Sequence, residues 1–157
     1  MPMNKNWHRW TYASISKHFE NNRQGIDLFV EGDHRHTSEL AEWAELRVDG
    51  PYHREPSKGI HYLDYEINIL LTVIIQEEIA YRMQEMMGIF HEAMADKIDI
   101  YKYGTGVDDT QAYFECLRLK NDELREPVRT SDFGQIEATT RVRQGSVEGH
   151  YRVTLET

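Results

Sequence analysis

The sequence has a single cysteine, only four prolines and no apolar run approaching the roughly 20 residues of a membrane-spanning helix. One thiol, Cys116, excludes an internal disulfide framework and an all-cysteine zinc site. Residues 1–12 lack the continuous apolar segment of a secretory signal. Positive charge is also scarce, since 18 Lys and Arg face 27 Asp and Glu for a net charge of −9. That balance argues against simple binding of a nucleic-acid backbone.

The remaining composition predicts one folded domain spanning residues 1–157. A chain of this length can bury a single core but leaves little room for a second domain. Apolar residues make up 39% and aromatic residues 11%, which excludes a disordered chain. We therefore expect a soluble, acidic protein that resides in, or is assembled in, a reducing compartment.

The segment from Ile60 to Ile75 predicts a long central strand. Its odd positions from Leu63 onward are apolar or aromatic, whereas its even positions stay mainly polar until Leu70. Strict alternation is typical of a strand with one buried face. The change to apolar residues on both faces after Leu70 indicates that the far end is covered on both sides.

The period then changes, which predicts a helix from about Gln76 to Ala95. Its apolar face carries residues spaced by three or four, namely Ile79, Met83, Met86, Phe90 and Met94. Acidic side chains in the first turn suit the positive end of the helix dipole. Methionines at this spacing usually fill a core, although a cofactor or peptide groove would use the same pattern.

Weaker patterns complete the predicted order of helix, strands, long strand, helix and strands. They are a helix at Thr11–Arg23 stopped by Gly25, strands at Ile26–Glu31, Glu42–Asp49, Lys97–Tyr103 and Gln111–Leu119, and a hairpin from Gln135 to Glu156 turning at Gln144–Gly145–Ser146. Strands without regular alternation with helices predict an α+β fold. We expect a mostly antiparallel sheet, with one long central strand, packed against one or two helices.

Three segments fall outside this core. Residues 1–25 form an N-terminal segment and helix. Residues 50–59 hold two prolines and two glycines, and we expect a projecting loop or arm there. Residues 120–132 predict a charged loop. Long loops on a small sheet usually serve function or partner contacts.

The candidate metal ligands are few. His34 and His36 alternate, so on an extended segment they would point the same way and could share a metal. A third ligand would have to come from Asp33, His61 or the His91–Glu92 pair, and no spaced ligand motif supports such a set. Exposed loop histidines are the simpler interpretation, and the sequence leaves this question open.

Other reactive residues also have simpler interpretations. Cys116 lies in a predicted strand and reads as a buried, inert thiol. Residues 104–106 resemble a phosphate loop only in their glycines and lead into Asp108 and Asp109, which would repel phosphate. Those aspartates lack the donor spacing of a calcium loop. Asp64 and Glu66 share one face of the long strand, as solvated or partner-facing carboxylates. The sequence thus predicts no enzyme, no metal and no cofactor.

Four stretches together resemble a known family: AEWAELRVDGP, LDYEINILLT, IDIYKYG after the helix, and FGQIEATTRVRQGSVEGHYRVTLE. They are similar to small virion proteins of tailed bacteriophages, of the neck or tail-terminator (tail-completion) type. The likeness covers roughly residue 41 to the C-terminus and includes the general order of elements. The first forty residues match no pattern of that group.

The resemblance implies a homo-oligomeric ring, commonly of six subunits, at the head-proximal end of the tail tube. Such a ring stops tube polymerisation and docks the tail to the portal, adaptor or stopper proteins of the neck. It would be a virion component assembled in the host cytoplasm. The family carries no catalytic residues to transfer. The subunit contact proposed within it comprises Arg47, Asp49, Tyr52, Arg54 and Glu55.

The net charge adds a hypothesis about the lumen of such a ring. Carboxylates at Asp64, Glu66, Asp108 and Asp109 would line it, repel DNA and let the DNA slide through without specific binding. Two alternatives stay open. One is another neck or tail component, such as a stopper, head-completion or tube protein. The other is a small ligand-binding or enzymatic domain with a pocket between the sheet and the Met-rich helix.

Overall fold

The computed structural model describes residues 6–31, 40–74, 81–102, 112–120, 127–135 and 142–156. Within these ranges the elements in chain order are α1 (Trp7–Asn21), β1 (Leu28–Val30), β2 (Glu42–Ser57), β3 (Ile60–Ile74), α2 (Arg82–Ala93), β4 (Lys97–Lys102), β5 (Ala112–Leu119), β6 (Val128–Gln135) and β7 (Val142–Glu156). The strands predicted near residues 26, 42, 97 and 111 are therefore confirmed.

All the strands belong to one mixed sheet, in the order β1-β2-β3-β7-β5-β4 with β6 also paired to β7. The β1–β2 pair is parallel, and the β2–β3, β3–β7 and β4–β5 pairs are antiparallel. β7 pairs with β3 along its whole length on one side, and with β6 and β5 in succession on the other. The arrangement is compatible with the α+β class predicted from the sequence.

One face of this sheet is covered by helices and forms the core. The predicted alternation of β3 is confirmed, because Leu63, Tyr65, Ile67, Ile69 and Leu71 are all buried. β7 contributes Val147, Tyr151 and Val153 to the same face, and β2 contributes Ala44 and Leu46. The helix face with Met83, Met86 and Phe90 packs there, as its spacing predicts. Positions 76–80 of the predicted helix lie outside the described residues.

The N-terminal helix joins the same core. α1 begins at Trp7, four residues before the predicted start, and buries Trp7, Ile15 and Phe19. The indole of Trp7 donates a hydrogen bond to the Tyr65 hydroxyl of β3 at 3.0 Å. Tyr12, which the sequence assigns to the apolar side, is instead 37% exposed. The first turns of the chain are thus bound to the central strand.

The prediction of a projecting loop at residues 50–59 is wrong. β2 continues through this segment to Ser57 and pairs with β3, with Tyr52 opposite Asp64 and Arg54 opposite Tyr62. Gly50 and Pro51 are accommodated by a bulge rather than by leaving the sheet, because the register shifts between Asp49 and Tyr52. The segment is therefore the end of a long hairpin.

The predicted turn at Gln144–Gly145–Ser146 is also wrong, because these residues lie inside β7 opposite β3. A Cβ on Gly145 would lie 3.0 Å from both the Met83 sulfur and the Ser131 carbonyl oxygen. The glycine therefore permits close packing rather than a turn. The hairpin itself exists, but its first strand is β6, which occupies residues predicted as part of the 120–132 loop. Residues 121–126 and 136–141 lie outside the described part of the chain.

Candidate functional site

The face of the sheet opposite the helices gathers most of the side chains that the sequence marks as functional. Before the bulge, Arg47 and Asp49 of β2 share this face, opposite Asn68 and Glu66 of β3. After it, the alternation of β2 inverts, so Tyr52 and Arg54 fall on the same face opposite Asp64 and Tyr62. We call this surface the open face. The bulge brings four of the five predicted interface residues onto it.

The outer edge of β2 is the second notable feature. β1 pairs only with residues 44–46 of β2. Among the described residues, no strand pairs with the other edge of β2 from Arg47 to Ser57. Tyr52 is 63% exposed there, which is unusual for a large aromatic side chain. An unpaired edge with an exposed aromatic residue is a typical surface for association.

Three of the predicted interface residues already have partners in their own chain. The Arg47 guanidinium donates to the Glu45 carboxylate at 2.9 Å, where Glu45 is buried and Arg47 is half exposed. The Arg54 guanidinium carbon lies 5.4 Å from the centre of the Tyr62 ring. Glu55 accepts a hydrogen bond from the Gly59 amide at 3.0 Å and so fixes the hairpin turn. Glu55 therefore has a clear structural role within the subunit.

Asp64, predicted to repel DNA, is paired with two cations. Its carboxylate accepts two hydrogen bonds from Arg152, at 2.7 and 3.1 Å, and lies 3.5 Å from the Lys120 ammonium. Burial alone would raise the pKa of Asp64, but the hydrogen bonds and charges of Arg152 and Lys120 outweigh it and lower that pKa. Asp64 therefore presents no uncompensated negative charge, so its assignment to a repelling surface needs correction.

Glu66 lies in a different environment, one register position further along the open face. Its register partner on β7 is His150, and Asn68 of β3 is paired with Glu148. One ligand atom from each of Glu66, Glu148 and His150 falls within 4.8 Å of the others. The His150 Nε2 atom lies 3.2 Å from the Glu148 carboxylate. Two carboxylates and an imidazole are a donor set that can hold a metal.

Sequence reasoning missed this set because its members lie on strands about 80 positions apart. The only local signal is the alternation of polar residues, Glu66 with Asn68 and Glu148 with His150, which places each pair on one strand face. Nothing in the sequence states that β3 pairs with β7 in this register. The register alone brings the two pairs together.

A second pair of histidines lies on the helix-covered side of the same hairpin. The ring nitrogens of His53 and His61 are 2.8 Å apart, and His61 is buried. One imidazole therefore donates to the other. This pair could provide two ligand nitrogens to a metal, and it lies away from the open face.

The remaining predicted residues have the following positions. Cys116 of β5 is buried, as predicted for an inert thiol. Asp108, Asp109, His34 and His36 lie outside the described residues, and so does the 104–106 segment.

A pocket between the sheet and the Met-rich helix was the alternative site for a small ligand. The Met face of α2 instead packs closely on the sheet, since the Met94 sulfur lies 3.9 Å from the Tyr151 hydroxyl. A shallow groove of about 610 Å³ runs beside the helix, lined by Gln84, Met87, Gly88, His91, Glu92 and Thr130. This groove lies beside the helix, where the ligand-binding interpretation places its pocket.

Comparison with protein-family models finds no family that matches the chain, and comparison with curated proteins finds no match. In the part of the chain that the structure describes, neither helix is long and apolar enough to cross a membrane. Interpretation of the site therefore depends on its geometry and on the resemblance in sequence.

Proposed function

We propose that this chain is a structural subunit of a tailed-bacteriophage neck, of the tail-terminator type. In this role it forms a homo-oligomeric ring, six subunits in the resembling group, that terminates the tail tube and connects it to the portal, adaptor or stopper proteins. DNA passes through such a ring without specific binding. The observation that carries the proposal is that, in the described ranges, no strand pairs with the outer edge of β2 from Arg47 to Ser57.

The edge suits a ring for a geometric reason. A strand with unpaired amide and carbonyl groups can accept a strand or segment from a neighbour, which adds main-chain hydrogen bonds without rebuilding the fold. Such a contact joins two different surfaces of the subunits, and contacts of this kind close into rings when their rotation permits. Tyr52 supplies an apolar anchor, and Arg54 supplies charge for a neighbour's carboxylate.

The hypothesis of a DNA-repelling lumen now involves fewer residues, because Asp64 no longer belongs to it. Of the described carboxylates assigned to it, Asp64 is paired with Arg152 and Lys120, and the assignment of Glu66 stays a prediction. Asp49 lies beside it, as its register partner on β2. The ring itself does not depend on this detail, because the contact edge and the carboxylates are separate groups of residues.

The experiment is sedimentation velocity of the full chain at increasing concentration, with the Tyr52→Asp variant beside the wild type. We expect an oligomer for the wild type and a folded monomer for Tyr52→Asp, because a charge at an apolar anchor opposes burial in the contact. Phe133→Asp is the matched control, since Phe133 of β6 has a similar exposure of 59% against 63% for Tyr52. Its oligomer should persist.

Two outcomes would overturn the proposal. A strict monomer of the wild type at high concentration, and also when recovered from particle neck fractions, excludes the ring. An oligomer that survives Tyr52→Asp but dissociates in Phe133→Asp places the contact on β6 and contradicts the β2 edge.

A further inference from the structure

We propose that Glu66, Glu148 and His150 bind a divalent transition-metal ion, with Asn68 as a fourth donor. These four residues are called the cation cluster below. They form a two-by-two block on the open face, with Glu66 opposite His150 and Asn68 opposite Glu148. The ring contact at the β2 edge does not depend on this inference, whereas a cation bound at Glu66 would oppose the repulsion of DNA assigned to that residue.

The distances favour a shared ion. Zinc binds imidazole nitrogen and carboxylate oxygen at about 2.0–2.2 Å, so adjacent ligands in a tetrahedral site lie roughly 3.3 Å apart. The separation of 3.2 Å between His150 Nε2 and the Glu148 carboxylate meets this requirement. The Glu66 carboxylate completes a set of three ligand atoms that all lie within 4.8 Å of one another.

Asn68 supplies a second, independent observation. Its side-chain oxygen Oδ1 is buried, and among the described residues it has no hydrogen-bond partner. A buried amide oxygen without a partner costs free energy, and a cation beside it removes that cost. Asn68 stands two positions from Glu66 on the same strand face and opposite Glu148, at the fourth corner of the block. An amide oxygen is a suitable hard donor to complete the set.

The charged neighbour of Glu148 on its own strand is His150, whose Nε2 atom lies 3.2 Å from that carboxylate. Arg129 of β6 is the register partner of Glu148 on its other side, yet the described structure contains no ion pair between them. Asp49 adds a further carboxylate beside Glu66. The cation cluster places ligand atoms of two carboxylates within 4.8 Å of each other, an arrangement that a shared cation stabilises.

The donor types select the kind of metal. An imidazole favours zinc, iron, nickel or copper over calcium and magnesium, whereas the carboxylate and amide oxygens accept most divalent ions. Glu148 and His150 are each about one quarter exposed, so water can reach the coordination positions that the protein leaves open. We therefore assign the cluster to a first-row transition metal, for which zinc is the probe.

The test is calorimetric titration of zinc chloride into the untagged full chain after dialysis against EDTA. We expect one equivalent per chain, with binding weakened about tenfold or more in Glu148→Gln and in His150→Gln, because each removes a direct ligand. Asp49→Asn and His91→Gln are the matched controls. They remove a nearby carboxylate and an exposed helical histidine, and should change Kd by less than about threefold.

Thermal melts separate loss of binding from loss of folding. Zinc should raise the melting midpoint of the wild type, because a ligand that binds only the folded state stabilises it. The metal-free melting midpoints of both ligand variants should stay close to that of the wild type, and zinc should no longer raise them.

Several results would overturn the assignment. They are the absence of saturable zinc binding, binding that survives both ligand variants but is lost in His53→Ala, and calcium binding as tight as zinc binding with no effect of His150→Gln. The second result would place the metal on the His53–His61 pair. The third would mean that the imidazole is not a ligand.

Discussion

The two halves of β2 differ in their strand pairing and in the burial of their side chains. At residues 44–46 the strand lies between β1 and β3, and Ala44 and Leu46 are fully buried beneath the helices. From Asp49 to Ser57 it pairs with β3 alone among the strands that the structure describes, and nearly all of its residues are exposed. The same continuous strand thus contributes to the core in its first half and exposes its side chains in its second, where we propose the subunit contact.

If the proposed contact is correct, the two halves of β2 have separate roles, one in the stability of the subunit and the other in its association. Substitutions in the first half should change the free energy of unfolding and affect assembly only by unfolding the subunit. Substitutions in the second half should change assembly and leave the isolated subunit intact. The bulge at Gly50 and Pro51 is the boundary between the two.

The largest expected effect is the loss of a core side chain from the first half. Leu46→Ala should lower the free energy of unfolding by about 3 kcal/mol, because it removes buried methyl groups and leaves a cavity. Tyr52→Ala in the second half should lower it by less than about 0.5 kcal/mol in the monomer. Urea denaturation of both variants measures the contrast. Equal losses would show that the second half is not a free surface.

The next effect concerns the boundary itself. Gly50 has a φ of +114°, and a Cβ there would lie 2.6 Å from the Asp64 carbonyl oxygen. Gly50→Ala should therefore cost about 2 kcal/mol or more, since the strand must shift and the backbone is strained for any residue with a side chain.

Gly88→Ala in α2 is the control for this substitution. A Cβ at Gly88 meets nothing within 4 Å, so alanine should stabilise the helix by about 0.5–1 kcal/mol. Thermal unfolding of the two variants should give shifts of opposite sign. A neutral Gly50→Ala would contradict the close contact between β2 and β3 at the bulge.

A smaller effect comes from the ion pair on the open face. The lowered pKa of Asp64 means that its carboxylate stabilises the fold above the unfolded-chain value of 3.8. This contribution is lost as the pH falls through the still lower folded-state pKa. Asp64→Asn should cost about 1 kcal/mol at neutral pH, after allowance for screening at a partly exposed site, and should reduce the loss of stability on acidification.

Asp132→Asn provides the comparison for that measurement. Asp132 also pairs with an arginine, Arg143, and its side chain is about as exposed as that of Asp64, but in the described structure it has one cationic partner whereas Asp64 has two. The hydrogen bond from Arg143 is the main reason that its pKa is lowered. Its substitution should have the smaller effect on stability between pH 3 and 7. A larger loss of stability in Asp132→Asn than in Asp64→Asn would show that the Asp64–Arg152–Lys120 group is not the stronger interaction.

The sequence predicts those parts of the fold that depend on local burial. The alternation of β3 and the Met face of α2 are both correct, because each residue's position follows from the period of its own element. The glycine-containing segments at 50–59 and 144–146 were misassigned for one reason. Local patterns associate glycine and proline with loops. In the structure, Gly50 and Pro51 lie in a bulge, and Gly145 permits close packing against Met83.

The candidate site depends on information that local patterns do not contain. The cation cluster exists only because β3 and β7 pair in one register, and a shift by one residue would move each side chain to the opposite face. The neutralisation of Asp64 likewise requires Arg152 and Lys120, which lie far away in the chain. The net charge of the sequence predicts that Asp64 repels DNA, whereas in the folded sheet its carboxylate is paired with Arg152 and Lys120.

Native mass spectrometry of the wild-type chain tests directly whether the chain forms the proposed homo-oligomeric ring. We expect one discrete assembly whose mass is a multiple of that of the 18.6 kDa chain. In the group that the sequence resembles, the assembly has six subunits. Dissociation of this assembly in Tyr52→Asp would then trace it to the β2 edge. A spectrum that contains only the 18.6 kDa chain at every concentration would contradict the account.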